Sequence, residues 1–325
     1  MGVHILSTGS SVPAFSVENQ QFENIVETSD KWISTRTGIK KRHLATSSTS
    51  LAKLAAEASI NALSTAKIKA TEINLIILAT STPDDLFGSA SQLQAEIGAT
   101  KSAAFDITAA CSGFIIALVT AAQFIQTGSY DNILVVGADV MSRWIDWSDR
   151  TTCILFGDGA GAVVMKQSSR NSMLGFKLCT NGQFNSYLQL MNKSMKNQKF
   201  GVTEIPHGNY ESIKMNGKEV YKFAVFQVPK VIKQCLDNLN ISINEVDWFI
   251  LHQANTRILE AIASRLSIPF SKMITNLESY GNTSAASIPL ALDEAVRSKK
   301  IKPGQIVVLS GFGAGLTWGV IVLKW

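Results

Sequence analysis

The order of strand-like and helix-like segments in the first half of the chain recurs in the second, and this repetition restricts the possible folds most. Residues 73–79 (INLIILA) read as a buried strand and are paralleled by 246–251 (VDWFIL). Residues 133–136 (ILVV) are paralleled by 306–309 (IVVL), and glycine-rich runs at 157–164 and 311–319 close, or nearly close, each half. Apolar strands alternating with helices point to parallel sheets covered by helices. An internal repeat then divides the chain into two pseudo-equivalent βαβαβ-type halves, 1–170 and 171–325.

Two helices are legible inside this plan. Residues 51–66 place apolar side chains at 51, 54, 55, 58 and 62, with the hydroxyls of Thr49 and Ser50 available as caps. Residues 114–125 are almost entirely apolar, the mark of a helix buried on every side. By the same alignment Cys111 falls opposite Asn282, so two corresponding helix starts are expected to face one site.

Composition excludes several classes. With 46% hydrophobic and 17% charged residues the chain is globular, and much of its surface is expected to be covered by another subunit. Gly, Asp, Lys or Gln interrupts each apolar run before the roughly 18 residues of a membrane span, so no membrane association is expected. No secretory signal or transit peptide is evident at the start. The four cysteines follow no CxxC or Cys/His spacing, which argues against a metal site or a disulfide framework. A net charge of +5, scattered apart from short clusters, fits an acidic partner or a phosphate-bearing ligand at least as well as nucleic acid, and none of the latter is expected.

Cys111 ends an apolar strand and begins a helix in the run FDITAACSGF. A thiol there meets unpaired backbone N–H groups and the positive helix end, both of which favour thiolate, and the same amides could receive an oxyanion. His252 follows an apolar strand in the polar run HQANTR, the place of a ligand-site residue in an α/β fold. Taken singly, His252 reads as structural, and Asn282 as a turn residue or cap.

Together, the Cys111 segment, His252-Gln253-Ala254-Asn255, Gly281-Asn282-Thr283-Ser284-Ala285-Ala286-Ser287 and Gly311-Phe312-Gly313-Ala314-Gly315 resemble the β-ketoacyl-acyl carrier protein synthase III family from end to end. The resemblance implies a thiolase-like fold, a layered αβαβα sandwich, and a Cys111, His252 and Asn282 site. It implies acyl transfer from acetyl-CoA to Cys111, then decarboxylative condensation with malonyl-acyl carrier protein to acetoacetyl-acyl carrier protein, the initiating step of fatty acid synthesis. Backbone amides of Cys111, Gly313 and Ala314 would form the oxyanion hole; relatives often carry Gly where Ala314 stands, which matters if that residue needs positive φ. No cofactor is implied, acetyl-CoA being a substrate. A second cysteine expected of thiolases is missing from residues 311–315.

The same resemblance assigns CoA contacts to Thr28, Trp32, Arg36, Arg150 and Gly217, with Trp32 and Arg36 sandwiching the adenine. It assigns carrier-protein contacts to Lys222 and Arg257, and implies a homodimer in which Phe87 crosses the interface and closes the partner's acyl pocket. The wording of Pro83-Asp84-Asp85-Leu86-Phe87-Gly88 is closest to cyanobacterial and plastid members, so bacterial cytoplasm or plastid stroma is expected. Residues 181–214 depart most from the usual pattern and are expected to cover the entrance or border the acyl pocket. A relative using longer or branched primers, or making a quinolone or polyketide from CoA substrates, remains an alternative, as does a noncatalytic dimeric scaffold.

Overall fold

The computed structural model describes residues 2–193, 197–206 and 208–325. Strands β1 (Gly2–Ser11), β2 (Leu75–Ala79), β3 (Ala103–Ile107), β4 (Asn132–Val140) and β5 (Asp158–Ser168) form one sheet in the order β1-β5-β4-β2-β3. Strands β6 (Met173–Thr180), β7 (Trp248–Leu251), β8 (Ile306–Gly313) and β9 (Thr317–Lys324) form a second, in the order β7-β8-β9-β6. The main helices are α1 (Asp30–Thr37), α2 (Leu51–Ala66), α3 (Gly113–Gln126), α4 (Gly217–Asn238), α5 (Thr256–Leu266) and α6 (Ser287–Arg297).

Five layers result. The apolar face of α2 packs on the outer side of the first sheet through Leu54, Ala58 and Ala62. Between the sheets, Phe114, Ile115 and Leu118 of α3 and Ile288, Ala291 and Leu292 of α6 meet β2 and β4 on one side and β7 and β8 on the other. Flanked by two sheets, α3 has few polar positions to keep, which accounts for its all-round apolar sequence. Val228, Ile232, Leu259 and Ile262 of α4 and α5 cover the outer face of the second sheet. Each such side chain, fully buried, is worth about 1.5–3 kcal/mol relative to exposure.

The expected helix over 51–66 forms with those bounds, and Ser50 caps it by accepting from the Lys53 amide. The sheets, however, are mixed. β2 runs parallel to β3 and β4, and β7 parallel to β8, but β5 is antiparallel to β1 and β4, and β9 is antiparallel to β6 and β8. For β9 the short link decides this: a three-residue turn, 314–316, joins β8 to β9, and so short a link joins antiparallel strands alone.

Two corresponding 3₁₀ turns, Ala110–Ser112 before α3 and Ser284–Ala286 before α6, meet in the middle layer. Each opens on a left-handed residue that is not glycine, Ala110 at φ 47° and Ser284 at φ 50°. Each also presses a carbonyl on a glycine of the facing sheet. A Cβ on Gly137 would stand 2.3 Å from the Ala285 oxygen, and one on Gly311 would stand 3.2 Å from the Cys111 oxygen. Cys111 therefore corresponds to Ala285, three residues beyond the expected partner Asn282. Matching by residue chemistry misplaced the register, because the turn is defined by backbone shape.

Candidate active site

Cys111 lies in the turn before α3 rather than on its first residue, and it is 5% exposed. Its Sγ is 3.4 Å from the Ser284 Oγ. The expected thiolate is not what this environment favours: burial pushes the thiol up to about 12, against the helping bond from Ser284, and the buried Asp139 carboxylate raises it further. A helix start acts through a few partial charges, whereas removing water acts on the whole ion.

His252 follows β7 and is buried, its amide bonded to the Ser310 carbonyl. The ring lies edge-on to Phe312 at 5.2 Å between centroids, and Nδ1 is 2.7 Å from the Ser287 Oγ. Burial lowers its pKa to about 3, so the imidazole is neutral at physiological pH. Asn282 is held by its backbone between the Leu155 carbonyl and the Gly157 amide. Its Oδ1 accepts from the Ser284 amide at 2.9 Å, which leaves Nδ2 as the free donor among the described contacts. Asn282 is thus both a turn residue and a side chain with a donor to spare.

Cys111, His252 and Asn282 line one cavity of about 140 Å³, together with Phe312, Gly313 and Leu316. A Cβ on Gly313 would sit 2.7 Å from the Cys111 nitrogen, so glycine is what lets β8 approach that amide. The left-handed residue of the adjoining turn is Gly315 at φ 122°, while Ala314 has no positive φ; alanine at 314 is unstrained.

At the outer end the cavity is lined by Gly217, Tyr221, Asn255 and Ile258. Trp32 and Arg36 lie on one face of α1, capped by Ser29, and the Arg36 guanidinium is 5.3 Å from the indole centroid. Arg150 approaches the same ring at 4.8 Å while donating to the Glu27 carbonyl. The Thr28 hydroxyl is buried with no hydrogen-bond partner among the described residues. Asn255 ties this group to the start of α5 by donating to the Arg36 carbonyl.

Lys222 and Arg257 are exposed and adjacent in sequence to the lining residues Tyr221 and Ile258. Lys222 is not a free cation: its Nζ pairs with Glu219 at 2.7 Å. Phe87 is 99% exposed and does not line this chain's cavity. Of the 181–214 segment, Leu188 reaches the cavity wall, and residues 194–196 and 207 lie outside the described residues. Among the described residues no group of three or more His, Cys, Asp or Glu could hold a metal, and no helix is long and apolar enough to cross a membrane.

Three side chains that support this site were not singled out from sequence: Ser284, Ser287 and Asp139. The first two stand within the Gly281–Ser287 motif as hydroxyls in an otherwise small-residue turn. Asp139 had its own signal, an acid within the apolar run of β4.

Residues 105–182 match the 3-oxoacyl-[acyl-carrier-protein] synthase III family, and residues 236–325 match the C-terminal domain of that family. The chain is 80% identical over 325 residues, the whole of both chains, to a β-ketoacyl-[acyl-carrier-protein] synthase III of Porphyra purpurea. It is 55% identical to the protein of that name from Trichormus variabilis, over 100% of this chain and 98% of the relative. A crystal structure of the 3-oxoacyl-[acyl-carrier-protein] synthase III of Aquifex aeolicus superposes with a TM-score of 0.92 at 41% identity, covering all of both chains.

Proposed function

The chain belongs to the β-ketoacyl-acyl carrier protein synthase III family, and from that membership we propose a division of labour among its residues. It is an acyltransferase, the initiating condensing enzyme of fatty acid synthesis, with a thiolase-like fold and CoA and acyl-carrier-protein thioesters as substrates. The observation that carries the finer reading is the convergence of Cys111, His252 and Asn282 on one largely apolar cavity.

Cys111 attacks the acetyl-CoA thioester, CoA departs, and the acetyl group remains on sulfur. The Cys111, Gly313 and Ala314 amides receive the oxyanion. Malonyl-acyl carrier protein then enters. As it loses carbon dioxide, its thioester oxygen becomes an enolate oxygen and accepts from His252 Nε2 and Asn282 Nδ2. In this reading the Ser287 hydroxyl donates to Nδ1, and the imidazole proton is on Nε2. The enolate carbon attacks the acetyl-Cys111 carbonyl, and acetoacetyl-acyl carrier protein leaves as the thiolate returns. Acetyl-CoA as primer is tested by a panel of acyl-CoAs scored by kcat/KM; a higher value for a branched or longer primer overturns that choice. Saturable carrier-protein binding without turnover would instead support a scaffold.

Trp32, Arg36 and Arg150 hold the CoA adenine, with Thr28 and Gly217 along its path. Trp32→Ala is expected to raise the KM for acetyl-CoA about tenfold with kcat nearly unchanged, since stacking far from the reacting carbon is uniform binding. Initial rates against acetyl-CoA concentration measure this, and an unchanged KM removes Trp32 from the adenine site. Arg257, with Lys222 beside it, meets the acidic carrier protein, so its effect should weaken with salt.

A homodimer completes the molecule. β3 is an edge strand of its sheet among the described residues, and the Asp106 carboxylate anchors the 83–90 loop beside it by accepting from the Ser89 and Ala90 amides. Leu86 and Phe87 project from that loop, 75% and 99% exposed. A second copy covers them. Phe87→Glu is expected to shift the protein from dimer to monomer in sedimentation; a wild-type chain that sediments as a monomer overturns the assembly. The red algal and cyanobacterial relatives support plastid stroma or bacterial cytoplasm as the compartment.

A further inference from the structure

Arg42 stands in the middle of the short strand Lys41–His43 and is 0% exposed, and the condensation chemistry leaves it without a role. Burial lowers its pKa to about 9, so it is still a cation at neutral pH. A charge held out of water is costly unless its donors are satisfied. Here the partners are a carbonyl, a side-chain amide and a ring. Nε donates to the Ile154 carbonyl at 2.9 Å, and Nη2 donates to the same oxygen. Nη1 donates to Asn19 Oδ1, and the guanidinium lies 4.5 Å from the Phe22 ring centroid. The Asp30 carboxylate is reached through Asn19, whose Nδ2 donates to Asp30 Oδ1 at 2.8 Å.

The Ile154 carbonyl opens a stretch whose backbone is divided between Arg42 and Asn282. Residues 154–157 link the short helix Arg150–Cys153 to β5 and lie in neither a helix nor one of the two sheets. Their polar groups are paired sideways instead. The Leu155 carbonyl accepts from the Asn282 amide at 2.9 Å, and the Gly157 amide donates to the Asn282 carbonyl at 3.0 Å. Phe156 and Asn282 thus form a single parallel bridge. The Arg42 stem packs against both sides of it. A Cβ on Gly281, the residue before Asn282, would stand 3.0 Å from Arg42 Cγ, and one on Gly157 would stand 3.4 Å from Arg42 Cβ.

Asn282 depends on that bridge. Its Oδ1 is committed to the Ser284 amide, so the place of Nδ2 is set by the backbone at 282. The other site residues are held from elsewhere. His252 is bonded to the Ser310 carbonyl and Ser287 Oγ, and the Cys111 amide lies against Gly313.

We propose that Arg42 is a positioning residue for decarboxylation: it fixes residues 154–157, and through them the Asn282 donor that meets the enolate oxygen. A guanidinium suits this work, since its rigid fork directs two N–H groups at one carbonyl while a third reaches Asn19. The demand for accuracy is steep, because a displacement of about 1 Å can cost about 10²-fold in rate. Asn19 extends the same anchor to Asp30, the first residue of α1, which carries Trp32. That branch bears on CoA binding and is read in KM, so the acyl-transfer step is compared at saturating acetyl-CoA.

The role of Arg42 rests on Asn282 as a donor to the enolate, and its test sets Arg42 variants beside Asn282→Ala in the two half-reactions. Carbon dioxide release from malonyl-acyl carrier protein and acetyl transfer to Cys111 are measured in each. Arg42→Met is expected to lower the first about 10²-fold and to leave the second within about threefold of wild type. Arg42→Lys, which keeps the charge and one donor to the Ile154 carbonyl, is expected to lose about tenfold in the first. Added to Asn282→Ala, neither substitution should slow carbon dioxide release further, because the donor it displaces is already gone. Losses that multiply in the double variants, or an equal loss in both half-reactions, overturn the positioning role and leave the donor role of Asn282 intact. So does full-rate decarboxylation in Arg42→Met beside a slow Asn282→Ala. Full-rate decarboxylation in Asn282→Ala overturns the donor role, and the role of Arg42 falls with it. If Arg42→Met fails to fold, the Arg42→Lys comparison decides by itself.

Discussion

Cys111→Ala is expected to abolish the acetyl-enzyme and to lower condensation by roughly 10⁴-fold or more, because the covalent step has no substitute in this cavity. Labelled acetyl-CoA, followed by intact-protein mass spectrometry, reads the first effect directly. The cavity keeps its other donors, so the variant should still bind CoA through Trp32 and Arg150, and it should fold, since alanine fits where a buried thiol did. Wild-type stoichiometry of labelling in Cys111→Ala would place the acyl group on another residue. Cys153 and Cys235 are poor rivals, being buried and lining no part of the cavity.

His252→Ala and Asn282→Ala should separate the two halves of the reaction. On the proposed mechanism each removes a donor to the enolate oxygen, and one such donor is worth about 10²–10³ in rate. Carbon dioxide release from malonyl-acyl carrier protein is therefore expected to fall by that factor, while acetyl transfer to Cys111 retains most of its rate. Equal loss in both steps would mean that the two residues serve the thiol instead. The pH dependence adds a check of sign. A histidine whose pKa is lowered to about 3 by burial stays neutral over the working range, so decarboxylation should show no His252 limb between about pH 5 and 8. A limb near the ordinary histidine value would mean that His252 works as imidazolium.

Much of this arrangement is legible in the chain. The α2 helix could be bounded to the residue because its apolar spacing and its Ser50 cap act locally. The buried character of most of α3 followed from its scarcity of polar positions; the face carrying Thr120 and Gln123 stays accessible, so the helix is not buried on every side. Strand direction was not local: the antiparallel course of β5 and β9 depends on pairing between whole strands, which the alternation of apolar runs does not encode. Nor was the pairing of Cys111 with Ala285 local, since two turns of the same shape carry different residues.

The nucleophile's proton affinity shows the same division more sharply. From sequence, the helix start argued for a thiolate; in the fold, burial overrides it and leaves a thiol at about 12. Ser284 and Asp139 lie 173 and 28 residues from Cys111 in the chain, and no spacing rule joins the three.

Pattern by itself determined the α/β class and the largely buried helices, and the resemblance of the motifs supplied the layered fold and marked out the Cys111, His252 and Asn282 trio, because each rests on side-chain chemistry at short range. The tertiary structure alone decided which turn faces which, which donors remain free and how protonated the sulfur is. Those depend on the exclusion of water and on contacts between distant segments, and both exist once the sheets have closed on the central helices.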